Sequence, residues 1–199
     1  MDNEKGKPRR KELRIKQYDY SSKGAYFITV CIKDRAQMLS DIINPVGVGA
    51  LDDPEIRLTQ MGRIVEKYLL SSENISGVTI DKYVIMPDHI HAIIFLDPNK
   101  YIDQAFGSSR APTPTDLCVT DKSDQKSGKH LTPANEMLPH IISTFKRFCN
   151  KEIGCNIFQR GYIEHIIRDI EDYRTRVKYI CENPLRWIYR EMSNQEKKL

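Results

Sequence analysis

Apolar and polar positions along the chain change period several times, and each change marks an element. Residues 25–32 are dense in β-branched and aromatic side chains and follow Gly24, which reads as a strand. Being apolar on both faces, it belongs in a sheet centre. Residues 44–57 are turn-rich and read as loop. Gly47-Val48-Gly49 within them lacks the third glycine and the strand-to-helix setting of a dinucleotide fingerprint. From Thr59, an N-cap residue type, Met61, Ile64, Val65, Tyr68 and Leu69 recur at helical spacing, ending near Glu73. Residues 78–86 return to strand character. Pro87-Asp88 then turns the chain into the apolar run from His89 to Leu96, so a hairpin is expected.

Residues 97–133 are dominated by Asp, Pro, Ser, Thr, Gly and Lys and read as a flexible insertion. From Asn135, an apolar stripe of Met137, Leu138, Ile141, Ile142, Phe145, Phe148 and Cys149 predicts a second helix that Gly154 ends. A broken strand is expected over residues 157–167. Asp169 caps a third helix with Ile170, Tyr173, Val177 and Ile180 on its core stripe. Tyr179 falls off that stripe, Asn183 lies one turn further on, and Pro184 predicts a kink or helix end. The order β-α-β-β-α-β predicts an α+β, ferredoxin-like domain. It has an antiparallel sheet with helices on one face and an added C-terminal helix bearing Tyr179. The expected boundaries are a basic arm over 1–20, one domain over 21–190 and a tail over 191–199.

Composition narrows the class. With 199 residues, 40% of them hydrophobic, the chain suits one well-cored domain. Five cysteines without a Cys-x-x-Cys argue against a disulfide framework or a zinc ribbon, so a reducing cytoplasm is expected. No apolar run reaches the roughly 20 residues that span a bilayer, so no membrane partner is expected. Net charge is +4, and residues 1–17 carry seven basic against three acidic side chains, an excess equal to the whole. Such an arm either contacts phosphates or is a solvated tail.

Candidate chemistry centres on Met86-Pro87-Asp88-His89-Ile90-His91. On a strand, residues i and i+2 share a face, so His89 and His91 present both imidazoles side by side. That is metal-ligand geometry, and it also arises by coincidence. The pattern His-x-His-x-Asp-His of some hydrolases is not met, because Ile93 and Ile94 occupy its last two positions. Tyr179 is one of ten tyrosines, and its position fits either packing or function. As a nucleophile it needs a metal or cation to lower the cost of its phenolate.

Together with Ile142-Ser143-Thr144-Phe145-Lys146-Arg147, the run from Phe158 to Arg168, and Tyr173 followed by Tyr179-Ile180-Cys181-Glu182-Asn183-Pro184, the histidine motif resembles the HUH-type single-tyrosine transposases. Asparagine followed by proline after the tyrosine points to the REP-associated branch. The resemblance implies a single-stranded DNA endonuclease and strand-transferase. In it His89, His91 and Asn183 hold Mg²⁺ or Mn²⁺, and Tyr179 forms a 5′-phosphotyrosine. It also implies single-stranded DNA bearing palindromic hairpins as the partner, with nucleoid association when bound. Arg9, Arg10, Lys11, Lys146, Arg147, Lys151, Arg160 and Arg168 are the candidate phosphate contacts, each with a solvated surface as its plain alternative. His165 sits in a family-like motif and suits support of the site better than ligation. No glycine hinge separates Arg168 from Tyr179, which favours a monomer with the tyrosine in cis over a homodimer. The competing reading is a catalytically idle nucleic-acid-binding or regulatory protein on the same sheet, since fold does not decide function.

Overall fold

The structure, a computed structural model, describes residues 22–43, 54–97 and 137–196. Its elements in chain order are β1 (Gly24–Cys31), β2 (Ser40–Ile43), β3 (Glu55–Leu58), α1 (Gln60–Ser71), β4 (Val78–Ile85), β5 (His89–Leu96), α2 (Met137–Ile153), β6 (Ile163–Ile167) and α3 (Ile170–Glu196). The main sheet runs β4-β5-β1-β6, antiparallel throughout. This is the ferredoxin-like arrangement: the first strand of each β-α-β unit pairs centrally and the helices cross over on one face.

The two faces of the sheet separate by strand alternation. Tyr26, Ile28 and Val30 of β1, with Ile90, Ala92, Ile94 and Leu96 of β5, pack under α1 and α2 in the larger core. Phe27 of β1 and Ile93 of β5 face the other way and pack with Ile180 and Trp187 of α3. The expected helices over one face are present, and α3 covers the opposite one. His89 and His91, in register with Ile93, belong to that α3 face.

Local chemistry explains most boundaries. Thr59 accepts a hydrogen bond from the Gly62 amide at 3.1 Å, capping α1. Gly154, at φ +86°, supplies the left-handed residue that stops α2. Asp169 Oδ1 accepts from the Asp172 amide at 2.8 Å at the start of α3. The fourth strand is broken as expected: Phe158 makes an isolated bridge to Ile32, and continuous pairing resumes only at Ile163.

Two expectations are corrected. Residues 44–57 are not all loop, because Glu55–Leu58 pairs with Ser40–Ile43 as a separate hairpin. Of the kink or helix end expected at Pro184, the end does not occur: α3 continues to Glu196. A proline inside a helix removes one backbone bond and crowds the carbonyl four residues back. Here Ile180 on one side and Trp187 on the other are both buried against the sheet, and their burial offsets that loss at about 1.5–3 kcal/mol per large apolar side chain. The arm and all but the first residue of the 97–133 insertion lie outside the described residues, as does Cys118; the four described cysteines are free. Among the described residues no helix is long and apolar enough to cross a membrane.

Candidate active site

The site is built where the His89 end of β5 meets α3. Cys31 pairs with His89 and Thr29 with His91, so the central strand holds both histidines in fixed register. Their rings lie 4.6 Å apart, edge to face. His89 donates from Nδ1 to Asp88 Oδ1 in a short hydrogen bond. Because a carboxylate only accepts, that bond places a proton on Nδ1, and in the neutral ring the lone pair is then on Nε2. His91 Nδ1 is hydrogen-bonded to Thr29 Oγ1 at 2.8 Å. Its Nε2 is buried and has no hydrogen-bond partner among the described residues.

An unpartnered buried imidazole nitrogen is costly unless something occupies it. Burial, with His89 alongside, pushes the His91 imidazole down to about 3, so the ring is neutral and able to donate its lone pair at neutral pH. Asp88 is itself buried, which opposes ionisation, yet its hydrogen bond to His89 and the charges of Arg35 and Arg190 hold it below the ordinary carboxylate range.

The last helix reaches this pair. Tyr179 meets His91 edge-on with ring centroids 5.1 Å apart, and meets Phe27 at 5.9 Å. Phe27 in turn stacks on His91 at 5.2 Å. Two turns along α3, Trp187 lies 6.3 Å from His89. Asn183 falls midway between Tyr179 and Trp187 on the same stripe and is 7% exposed. Among the described residues no cluster of three His, Cys, Asp or Glu side chains suits a metal. A divalent ion at the two histidines would therefore take a third donor from outside that set, and the carboxamide oxygen of Asn183, on the same stripe of α3 as Tyr179, is a donor of suitable type. The histidine nitrogens fit such an ion.

Helix α3 is fastened to the sheet at its start. Tyr173 donates to Asp81 Oδ2 at 2.7 Å. His165 Nε2 lies 2.6 Å from Asp172 Oδ2, and Arg176 reaches Asp172 Oδ1 at 3.1 Å while its guanidinium sits over the Phe27 ring. His165 thus ties β6 to α3 and does not join the His89–His91 pair.

The candidate phosphate contacts separate widely. Arg9, Arg10 and Lys11 lie outside the described residues. Lys146 donates to the carbonyls of Gln159 and Gly161 at 2.9 and 2.6 Å, and burial lowers its ammonium to about 8, so this cation clamps a loop and is not free for phosphate. Arg147 and Lys151 are exposed on α2, across the sheet from the histidines. Arg160 and Arg168 are exposed at the two ends of the β6 segment. Nearest the site stand cations that pattern reading misses: Arg35, bonded to Asp88 at 3.4 Å; Arg186, over the Tyr179 ring at 5.7 Å; and Arg190, over Trp187 at 4.3 Å. Asp88 is also missed, although a carboxylate directly preceding a ligand-type histidine is a visible signal.

No family model matches the chain. It is similar to an uncharacterized protein of Haemophilus influenzae, 32% identical over 182 residues and covering 89% of each chain. A second protein of that organism, provisionally named a REP-associated tyrosine transposase, is 26% identical over 175 residues, covering 87% of this chain and 77% of the relative. Among solved structures, a REP-associated tyrosine transposase bound to a REP hairpin shares the fold at a TM-score of 0.51 and 20% identity, covering 87% of this chain and 73% of that one. With relatives matched over most of their length, and the same fold beneath them, the chain belongs to the REP-associated tyrosine transposase family.

Proposed function

We propose that this chain is a metal-dependent single-stranded DNA endonuclease and strand-transferase that acts at DNA hairpins through a 5′-phosphotyrosine. The observation that carries the reading is the buried, unpartnered Nε2 of His91, in a ring that touches Tyr179. His89 and His91 through Nε2, with Asn183 through its side-chain oxygen, are the residues that would hold Mg²⁺ or Mn²⁺. When bound, such an ion supplies Lewis acidity at a non-bridging oxygen of the scissile phosphate.

The protein's own groups do the rest. Tyr179 Oη attacks the phosphorus and releases its proton to solvent. The bond from phosphorus to the 3′ oxygen breaks, and that oxygen takes up a proton to leave a 3′-OH. One phosphoester replaces another, so a 3′-OH can later attack the tyrosyl ester and rejoin strands without a nucleotide cofactor. Phe27 and His91 hold the Tyr179 ring in one orientation, so little freedom is lost on approach to the phosphate. The relative's hairpin ligand and the excess positive charge of residues 1–17 support hairpin DNA as the substrate.

The test is incubation with single-stranded hairpin oligonucleotides from the gene's own flanks, with Mg²⁺ or Mn²⁺, followed by denaturing electrophoresis. A protein-DNA adduct that needs the metal and is absent from Tyr179→Phe supports the reading. No adduct with any hairpin favours an idle binding protein instead.

A further inference from the structure

Three arginines from two distant parts of the chain converge on the mouth of the site. On α3, Arg186 and Arg190 follow Tyr179 by seven and eleven residues. At about 100° per residue, both return to within about 20° of the tyrosine around the helix. The nucleophile and the two cations therefore form one edge, with Arg186 over the Tyr179 ring and Arg190 stacked on Trp187 beside His89. Arg35 arrives from the turn after β1. Asp34 and Arg35 there both adopt left-handed backbone, at φ 54° and 55°, an uncommon state for side chains of this size. Strain of this kind persists where surrounding structure holds it, often beside functional sites. Its result is a guanidinium set against Asp88, on the carboxylate oxygen that His89 does not use.

These cations are only partly committed. Arg186 pairs with Glu182 at 2.8 Å, but the arginine side chain is 60% exposed, and such a pair is held weakly enough for a phosphate to compete. Arg190 has no ion-pair partner among the described residues. Arg35 keeps most of its five N–H donors after one long contact with Asp88. Half-buried Tyr179 lies in the crease between α3 and the sheet, which admits one strand more readily than a duplex.

We propose that Arg35, Arg186 and Arg190 form a phosphate track that grips the single strand flanking the scissile phosphate. The inference rests on the nuclease reading for its substrate and adds where the cleaved strand runs. It also divides the labour: the track holds the flank, while other basic surface meets the hairpin stem.

The test uses the full chain and two fluorescent oligonucleotides, a hairpin alone and the same hairpin with a single-stranded flank, with anisotropy measured over a series of salt concentrations. Arg35→Gln, Arg186→Gln and Arg190→Gln are compared with Arg174→Gln, which lies about 140° around α3 from Tyr179. Each track variant is expected to bind the flanked oligonucleotide more weakly and to lower its salt slope by about 1, with hairpin-alone binding unchanged. Arg174→Gln should match the parent. Equal losses on both oligonucleotides, or an unchanged slope on the flanked one, overturn the track. The adduct assay separates the two readings: a parent protein that binds the flank through these arginines but never forms an adduct retains the track and loses the nuclease.

Discussion

The rings of His91 and Tyr179 meet edge to face, 5.1 Å between centroids, although one sits mid-strand in β5 and the other on the last helix. The hydroxyl of Tyr179 makes no hydrogen bond within the described residues, so its packing and its chemistry can be separated. Tyr179→Phe is expected to keep the fold, with a stability change within about 0.5 kcal/mol, while abolishing the covalent DNA adduct. Thermal unfolding checks the first half and denaturing electrophoresis the second. Cleavage that survives the substitution rejects Tyr179 as the nucleophile.

Asp88 is hydrogen-bonded to His89, and on the proposed reading it acts through that ring rather than on substrate. Removing an outer partner of a metal-bound histidine costs roughly 10- to 100-fold in metal affinity. Asp88→Ala is expected to fall in that range by Mn²⁺ titration, and Asp88→Asn, which keeps an acceptor oxygen, to fall less. Excess metal should restore adduct formation in both. Parent-like Mn²⁺ affinity in Asp88→Ala would exclude this positioning role.

Acid should weaken the metal-free protein through His91. Its folded imidazole is lowered to about 3, whereas an unfolded one titrates near 6.5. Between those values the unfolded chain carries the proton and the folded one does not. The contribution to stability is therefore complete above pH 6.5 and is lost as pH falls toward 3, with a slope of up to about 1.4 kcal/mol per unit. Chemical unfolding in chelator at pH 7.5, 6.0 and 5.0 should show this loss. His91→Phe, which removes the titrating ring, should flatten the curve over the same window, and parallel curves for the two proteins would refute the assignment.

Gly62 is where the second hairpin touches the first helix. A Cβ added there would lie 2.0 Å from the Leu39 carbonyl oxygen and 3.3 Å from Leu58 Cβ. The obstacle is backbone, which cannot swing aside. Gly62→Ala gains about 1 kcal/mol of helix propensity but should lose more by forcing α1 off the hairpin, for a net destabilisation of about 1–3 kcal/mol in urea unfolding. Parent-like stability would mean that Leu39 yields.

Periodicity makes much of this fold legible. Alternation and helical stripes mark β1, α1, the β4–β5 hairpin and α2, and Thr59, Gly154 and Asp169 mark their limits through local backbone chemistry. The β2–β3 pair escapes because each strand is four residues long and the turn-forming residues between them dominate the pattern. The passage of α3 through Pro184 escapes because local propensity argues for a stop, and only burial of Ile180 and Trp187 on a distant sheet reverses it. At the site, the shared face of His89 and His91 follows from strand geometry, as the one-turn spacing of Tyr179 and Asn183 follows from helix geometry. The approach of Tyr179 to His91 does not, since it depends on where α3 docks. The same holds for Arg35 and for the loop-clamping Lys146, whose partners are remote in sequence.

The four central side chains belong to only two rigid pieces. His89 and His91 ride on one strand, and Tyr179 and Asn183 on one turn of one helix, pinned to the sheet by Tyr173 and Asp81. The site thus has a single joint. On the proposed reading, lifting α3 would withdraw nucleophile and third donor in the same motion, so no half-assembled centre with a primed tyrosine would arise. On that reading, control of strand breakage reduces to one local equilibrium, and amide exchange along α3 reads it directly.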